Sequence, residues 1–149
     1  MNGSGKLNVR VYGICINDKQ EILLADERIR NMPVTKLPGG GLEFGEGTLD
    51  CLKREFMEEC GQPVRIIRHF YTTDFFVPSA FNSESQVISI YYEVAFEETP
   101  RFEVKDQKFD FPEGTNDVYV FRWFPLEKLT ASEFTFPIDK RVAELLKKQ

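Results

Sequence analysis

The sequence holds one histidine, one tryptophan and three cysteines among 149 residues. No apolar run approaches the length of a membrane span, which argues against a helix that crosses a bilayer. The start, MNGSGKLNVR, lacks the apolar stretch of a secretory signal. No block of lysine and arginine is present and the formal net charge is -5, so the summed field disfavours duplex nucleic acid and anionic membranes. The cysteines, Cys15, Cys51 and Cys60, are odd in number and match no metal spacing. Cys51 and Cys60 share one predicted helix more than two turns apart, too far to pair. All three read as reduced packing thiols, and a cytoplasmic protein is expected. With so little cysteine and histidine, zinc is a poor match, and His69 reads as a strand residue.

What is present is ordinary globular composition, 42% hydrophobic and 29% charged, enough for one domain over residues 1–149. Leu7 to Ile16 alternates like a strand. NDKQ reads as a turn and EILLA as a returning strand, which together suggest a hairpin. DERIRNMPV reads as a loop, and KLPGGG as a short extended piece. A helix follows over about Thr48 to Cys60, with Thr48 or Gly47 as N-cap. Gly61 suits the left-handed position after it, and Pro63 prevents its continuation. Leu49, Leu52, Phe56 and Cys60 form its expected apolar stripe. Two further strands, VRIIRHFYTTDFFV with room for a bulge and QVISIYYEVAFEE, precede the loop KDQKFDFPEGTN. A last strand, DVYVFRWF, and a C-terminal helix, IDKRVAELLKK, complete an α/β pattern: a mixed sheet flanked by helices.

The predicted central helix carries Glu55, Glu58 and Glu59 on one edge. Like charges at these spacings destabilise a helix by about 0.2–0.5 kcal/mol per pair, so a merely solvated acidic face is the bland alternative. Arg54, four residues before Glu58, can pair with a carboxylate there. The preceding LPGGGLEFGEG lets backbone approach a ligand and adds Glu43, Glu46 and carbonyl oxygens. Such hard oxygen donors suit Mg²⁺ or Mn²⁺. The glycines lack the Gly-Lys-Ser/Thr ending of a P-loop.

Gly40, Glu46, Arg54, Glu55, Phe56, Glu58, Glu59 and Gly61 stand at the spacing of the box that marks the Nudix hydrolase family, which this segment closely resembles. The box ends in a bulky apolar residue where this chain has Gln62; Val64 is the candidate to replace that contact. A tryptophan common before the box is replaced near Thr35. The resemblance implies a Nudix α/β/α sandwich and metal-dependent hydrolysis of a pyrophosphate bond in a nucleoside diphosphate linked to another group. It implies Mg²⁺ or Mn²⁺ as cofactor, with Glu55, Glu58 and Glu59 as metal ligands and the carbonyl around Gly39 or Gly40 completing the shell. Glu55, Glu58 and Arg54 are the catalytic candidates, Arg54 by orienting a glutamate, and Glu46 is a structural acid of the loop. The general base is either a box glutamate or a distant acid such as Asp117 or Glu113. Arg28, Arg30 and Phe76 are the candidates for substrate binding, with Phe75 and Phe81 as further aromatic candidates. Pro78, sixteen residues past the box, resembles a feature of the ADP-ribose-cleaving members. The expected partner is a small-molecule nucleotide. Homodimers are common in the family, although no interface is legible here. The alternatives are a catalytically silent nucleotide-binding sensor and an isomerase-like relative; intact box acids weigh against the first, and the absence of a catalytic cysteine in a recognisable setting against the second.

Overall fold

The computed structural model describes residues 5–149. Among the described residues there are seven strands and two α-helices in the order β1 (Lys6–Cys15), β2 (Glu21–Ile29), β3 (Met32–Lys36), β4 (Gly39–Gly41), α1 (Thr48–Cys60), β5 (Val64–Thr72), β6 (Ser85–Phe96), β7 (Tyr119–Pro125) and α2 (Pro137–Lys147). They form two sheets. The four-stranded sheet runs β4-β1-β6-β5 and is mixed, because β1 and β6 are parallel; the three-stranded sheet runs β3-β2-β7 and is antiparallel. No helix among the described residues is long and apolar enough to cross a membrane.

The centre of the fold is β1, buried on both faces from Val11 to Cys15. Val11 and Cys15 pack with Cys51, Leu52, Phe56 and Cys60 of α1. Tyr12 and Ile14, on the opposite side of the pleat, pack with Ile138, Val142, Ala143 and Leu146 of α2. The helices therefore cover opposite faces, as the sandwich pattern requires. The cysteines are free and buried.

Three local expectations are corrected. The turn after β1 exists: Asn17 Oδ1 accepts hydrogen bonds from the Lys19 and Glu21 amides at 3.0 and 2.9 Å. Yet β1 and β2 do not continue as a hairpin beyond one bridge, Ile16 to Ile22, because they diverge into different sheets. The segment DERIRNMPV is not a loop. β2 runs to Ile29 and returns through Arg30 and Asn31, both left-handed (φ 48° and 66°), the geometry of a two-residue hairpin turn. Its polar residues hid the strand, since Asp26 is buried but paired. Finally, Leu49 is 44% exposed and Cys51 takes its place in the buried face of α1. Leu49 lies in the first turn of the helix, and the buried stripe runs through Cys51, Leu52, Phe56 and Cys60 instead.

The ends of α1 follow the sequence. Gly47 is the N-cap, with its amide donating to Asp50 Oδ2 at 3.2 Å, and Gly61 takes φ 69° while its amide bonds the Met57 carbonyl. Gln62 is buried, but its side chain donates to the Thr99 carbonyl and accepts from the Arg101 amide at 3.0 and 2.8 Å. Val64 joins the α1 cluster and supplies an apolar contact beside it. The bulge allowed for in β5 is present as register shifts between Ile66 and Arg68 and between His69 and Tyr71.

A buried ion network clamps the second sheet. Arg122 Nε and Nη2 donate to Asp26 at 2.6 and 3.2 Å, and Nη2 reaches Glu133 at 2.7 Å. Asp26 also accepts from the Thr35 hydroxyl and the Phe109 amide. Removing one partner strands the other charge. Arg122→Met is therefore expected to cost about 3–5 kcal/mol in urea unfolding. Arg68→Met, which breaks an ion pair to Glu93 from an arginine side chain 62% exposed, is expected to cost less than about 1 kcal/mol.

Candidate functional site

Arg54 is the hub of the acidic loop and helix. Its Nε and Nη2 grip both oxygens of Glu46 at 3.0 and 2.7 Å, a bidentate pair. Nη2 also donates to the Gly41 carbonyl at 3.1 Å, and Nη1 reaches Glu55 at 3.1 Å and Glu58 at 3.3 Å. The Glu43 amide bonds Glu46 at 3.0 Å. This pairing pulls the Glu46 carboxyl down to about 2, with the Arg54 hydrogen bond as the largest cause. The i,i+4 pair to Glu58 foreseen from spacing is present but long, and Glu58 is more than half exposed.

Glu59 is different. Its Oε2 is buried and has no hydrogen-bond partner. Burial pushes its carboxyl up to about 7, Lys36 opposes that, and Glu55 and Glu27 add to it. The glycine strand presses against the same acids. A methyl group on Gly40 would come within 2.5 Å of the Glu55 carboxylate carbon, and one on Gly39 within 2.1 Å of the Val11 carbonyl at a φ of 146°. Only glycine permits both approaches. Among the described residues no three acid, histidine or cysteine side chains already close into a metal-ready cluster. The donors at hand are all oxygen: Glu55, Glu58 and Glu59, with the Gly39 backbone alongside. An orphaned buried carboxylate oxygen within such a set fits a hard divalent cation.

Next to this edge lies a cavity of about 330 Å³ between the two sheets and the start of α2, with Arg10, Tyr12, Glu27, Lys36, Phe81 and Asp139 in its wall. Phe81 and Phe136 meet edge-on at 6.1 Å between ring centres. In the polar part of the wall, the Tyr91 hydroxyl donates to Asp139 Oδ1 at 2.6 Å, and burial pushes Asp139 up to about 6. The size and mixed lining suit a small organic ligand.

The candidates read from sequence fall in three places. Arg54, Glu55, Glu58, Glu59 and Gly39 come together at the box. Phe81 is in the cavity wall; Arg30 is not, but it donates to the Phe81 carbonyl at 2.9 Å and lies 5.5 Å from its ring centre. Arg28 and Phe76 are outside the wall. Arg28 lies over the Phe111 ring with its Nε buried and unpartnered, and Phe76 is 70% exposed. Asp117 and Glu113 are exposed loop acids away from the cavity. Sequence reasoning missed Arg10, Lys36, Phe136 and Asp139. Strand pairing and helix docking join them across the chain. The one local signal was a lysine in the otherwise uncharged stretch VTKLP.

Between the ordinary carboxyl value and about 7, the native protein binds the extra Glu59 proton that the unfolded chain has released, so metal-free stability falls as pH rises through that window. Glu59→Gln is therefore expected to raise the melting temperature in EDTA at pH 8, and to do so far less at pH 5. Added Mg²⁺ is expected to stabilise the natural protein more than the variant. Thermal melts under the four conditions check this.

The family model described as NUDIX domain matches residues 6–146. An RNA pyrophosphohydrolase from Ruthia magnifica subsp. Calyptogena magnifica is 52% identical over 50 residues, a stretch that covers 33% of this chain and only 27% of that protein. Among solved structures, a NUDIX hydrolase from Nitrosomonas europaea superposes with a TM-score of 0.69 at 23% identity, covering 93% of this chain and 87% of that one. A MutT protein from Methanosarcina mazei Go1 gives 0.68 at 22% identity, covering 99% and 97%. At these identities the structures speak for the fold, and the family model spans nearly the whole described chain: the protein belongs to the NUDIX domain family.

Proposed function

We propose that this chain is a metal-dependent pyrophosphohydrolase that cleaves a nucleoside diphosphate linked to another group. The observation that carries the reading is the buried, unpartnered Oε2 of Glu59 beside Glu55 and the Gly39–Gly41 strand, at the edge of a 330 Å³ cavity. Glu55, Glu58 and Glu59 would hold Mg²⁺ or Mn²⁺ with the Gly39 carbonyl. The ions would supply charge neutralisation at the diphosphate and a more acidic attacking water. Arg54 keeps the loop and helix in register through Glu46, so that Glu55 and Glu58 are presented together. A box glutamate takes a proton from water, the water oxygen bonds to one phosphorus, and the bridging P–O bond breaks so that the other phosphate leaves with the bridging oxygen. The products are two phosphate monoesters, or one and inorganic phosphate or pyrophosphate. The nucleoside occupies the cavity, where Phe81 and Phe136 offer aromatic surface and Asp139 a polar edge. The name of the Ruthia relative, which aligns with a third of this chain, supports the reaction class.

The test is a panel of ADP-ribose, sugar nucleotides, dinucleoside polyphosphates and normal and oxidised nucleoside triphosphates, assayed with Mg²⁺ and with Mn²⁺. At least one should be hydrolysed. Glu58→Gln is expected to lower turnover by about 100-fold or more, since a metal-held transition-state charge is worth several kcal/mol. Its melting temperature should hold, because the side chain is 58% exposed. Nucleotide binding without hydrolysis of any substrate would instead indicate a silent sensor.

A further inference from the structure

Two cations stand where the cavity meets the box acids, and neither has its donors filled by protein. Lys36 is 5% exposed, yet Nζ makes no hydrogen bond among the described residues; its one ion pair is to Glu27 at 3.6 Å. It lies 5.4 Å from the centre of the Tyr12 ring. Arg10 gives its Nε to the Tyr12 hydroxyl, while its two terminal nitrogens take no protein acceptor among the described residues. Arg10 pairs with Gly41 across β1 and β4, and a methyl group on Gly41 would stand 3.6 Å from Nη1. Tyr12 thus spaces the two cations, its hydroxyl on one and its ring beneath the other.

The Lys36 side chain lines the cavity, and Tyr12, Glu27 and Glu59 nearby favour its charged form, so an ammonium with open donors faces the cavity space. Glu27, at a loose 3.6 Å and partly exposed, makes the one ion pair and leaves the hydrogen-bond donors of Nζ open. Both side chains are in the cavity wall, and Gly40 beside them touches Glu55 of the box. A phosphate group would meet the guanidinium fork of Arg10 and the point charge of Lys36 together.

We propose that Arg10 and Lys36 bind the phosphate attached to the nucleoside, at the boundary between cavity and box, and so determine that the nucleoside end of the substrate enters the cavity. The inference rests on the pyrophosphohydrolase reading, which puts the nucleoside in the cavity, and names the residues that hold it there by its phosphate. Arg10 and Lys36 are positioning residues for the diphosphate, holding its nucleoside-side phosphate while the next phosphorus faces Glu55, Glu58 and Glu59.

The test measures binding by calorimetry in EDTA, without catalysis. The probes are adenosine, guanosine, cytidine and uridine, each against its 5′-monophosphate. The natural protein is expected to prefer the best-bound monophosphate over its nucleoside by about tenfold or more. Arg10→Gln and Lys36→Met should each remove most of that preference and leave nucleoside affinity within about twofold, while Lys36→Arg retains it. Thermal melts identify a variant that fails to fold, in which case the surviving variant and Lys36→Arg decide. No preference in the natural protein, including no binding of either ligand, overturns the proposal, because the cations then serve only to neutralise Glu27 and Glu55. Preference intact in the folded neutral variants overturns it as well. A natural protein that prefers monophosphates but hydrolyses nothing in the substrate panel would sink the hydrolase reading and leave this site standing.

Discussion

The guanidinium of Arg54 is the interaction on which the site depends. One planar group bonds both oxygens of Glu46, the carbonyl of Gly41 and, more loosely, Glu55 and Glu58. It therefore ties the glycine strand, the loop and the helix into one unit with a single cation. A lysine has no fork to do this. Without it, the loop would carry Glu43 and Glu46 toward a helix already crowded with negative charge. Its neutralising effect explains how α1 tolerates so many acids on one edge before any metal binds.

The molecule treats its buried charges in two ways. Asp26, Arg122, Glu133 and Thr35 satisfy one another through short bonds, and this network does nothing but hold the second sheet to the segment before α2. Glu59 keeps a buried oxygen without a hydrogen bond, and the ammonium of Lys36 faces the cavity with one loose ion pair. Both lie at the junction of cavity and box, where an ion and an anionic ligand would complete them. The distinction between satisfied and unsatisfied charge separates architecture from function here more clearly than burial alone.

The two-faced burial of β1 connects these regions. Val11 and Cys15 seat α1, and with it the acids; Tyr12 and Ile14 seat α2, and with it Phe136 and Asp139. Arg10, one residue before Val11, sits where the strand leaves the core and meets Gly41. A single strand thus sets the distance between the box and the cavity, and close packing on both sides leaves that distance little freedom.

The sequence by itself determined whatever depends on neighbours a few residues apart. The limits of α1, its glycine C-terminus, the acidic edge and the reach of Arg54 toward it all follow from helical spacing and local backbone preference. The family box is legible for the same reason, being one loop and one helix. Tertiary structure alone decided the rest. β1 and β2 part into separate sheets, and DERIRNMPV becomes a hairpin because its polar side chains find partners up to 96 residues away in the chain, as Asp26 does in Arg122. The cavity wall joins β1, β3, the 77–81 loop and α2, whose proximity is set by strand pairing and by which faces are buried. Spacing within a segment cannot encode that, since contacts between distant segments depend on the packing of every element between them.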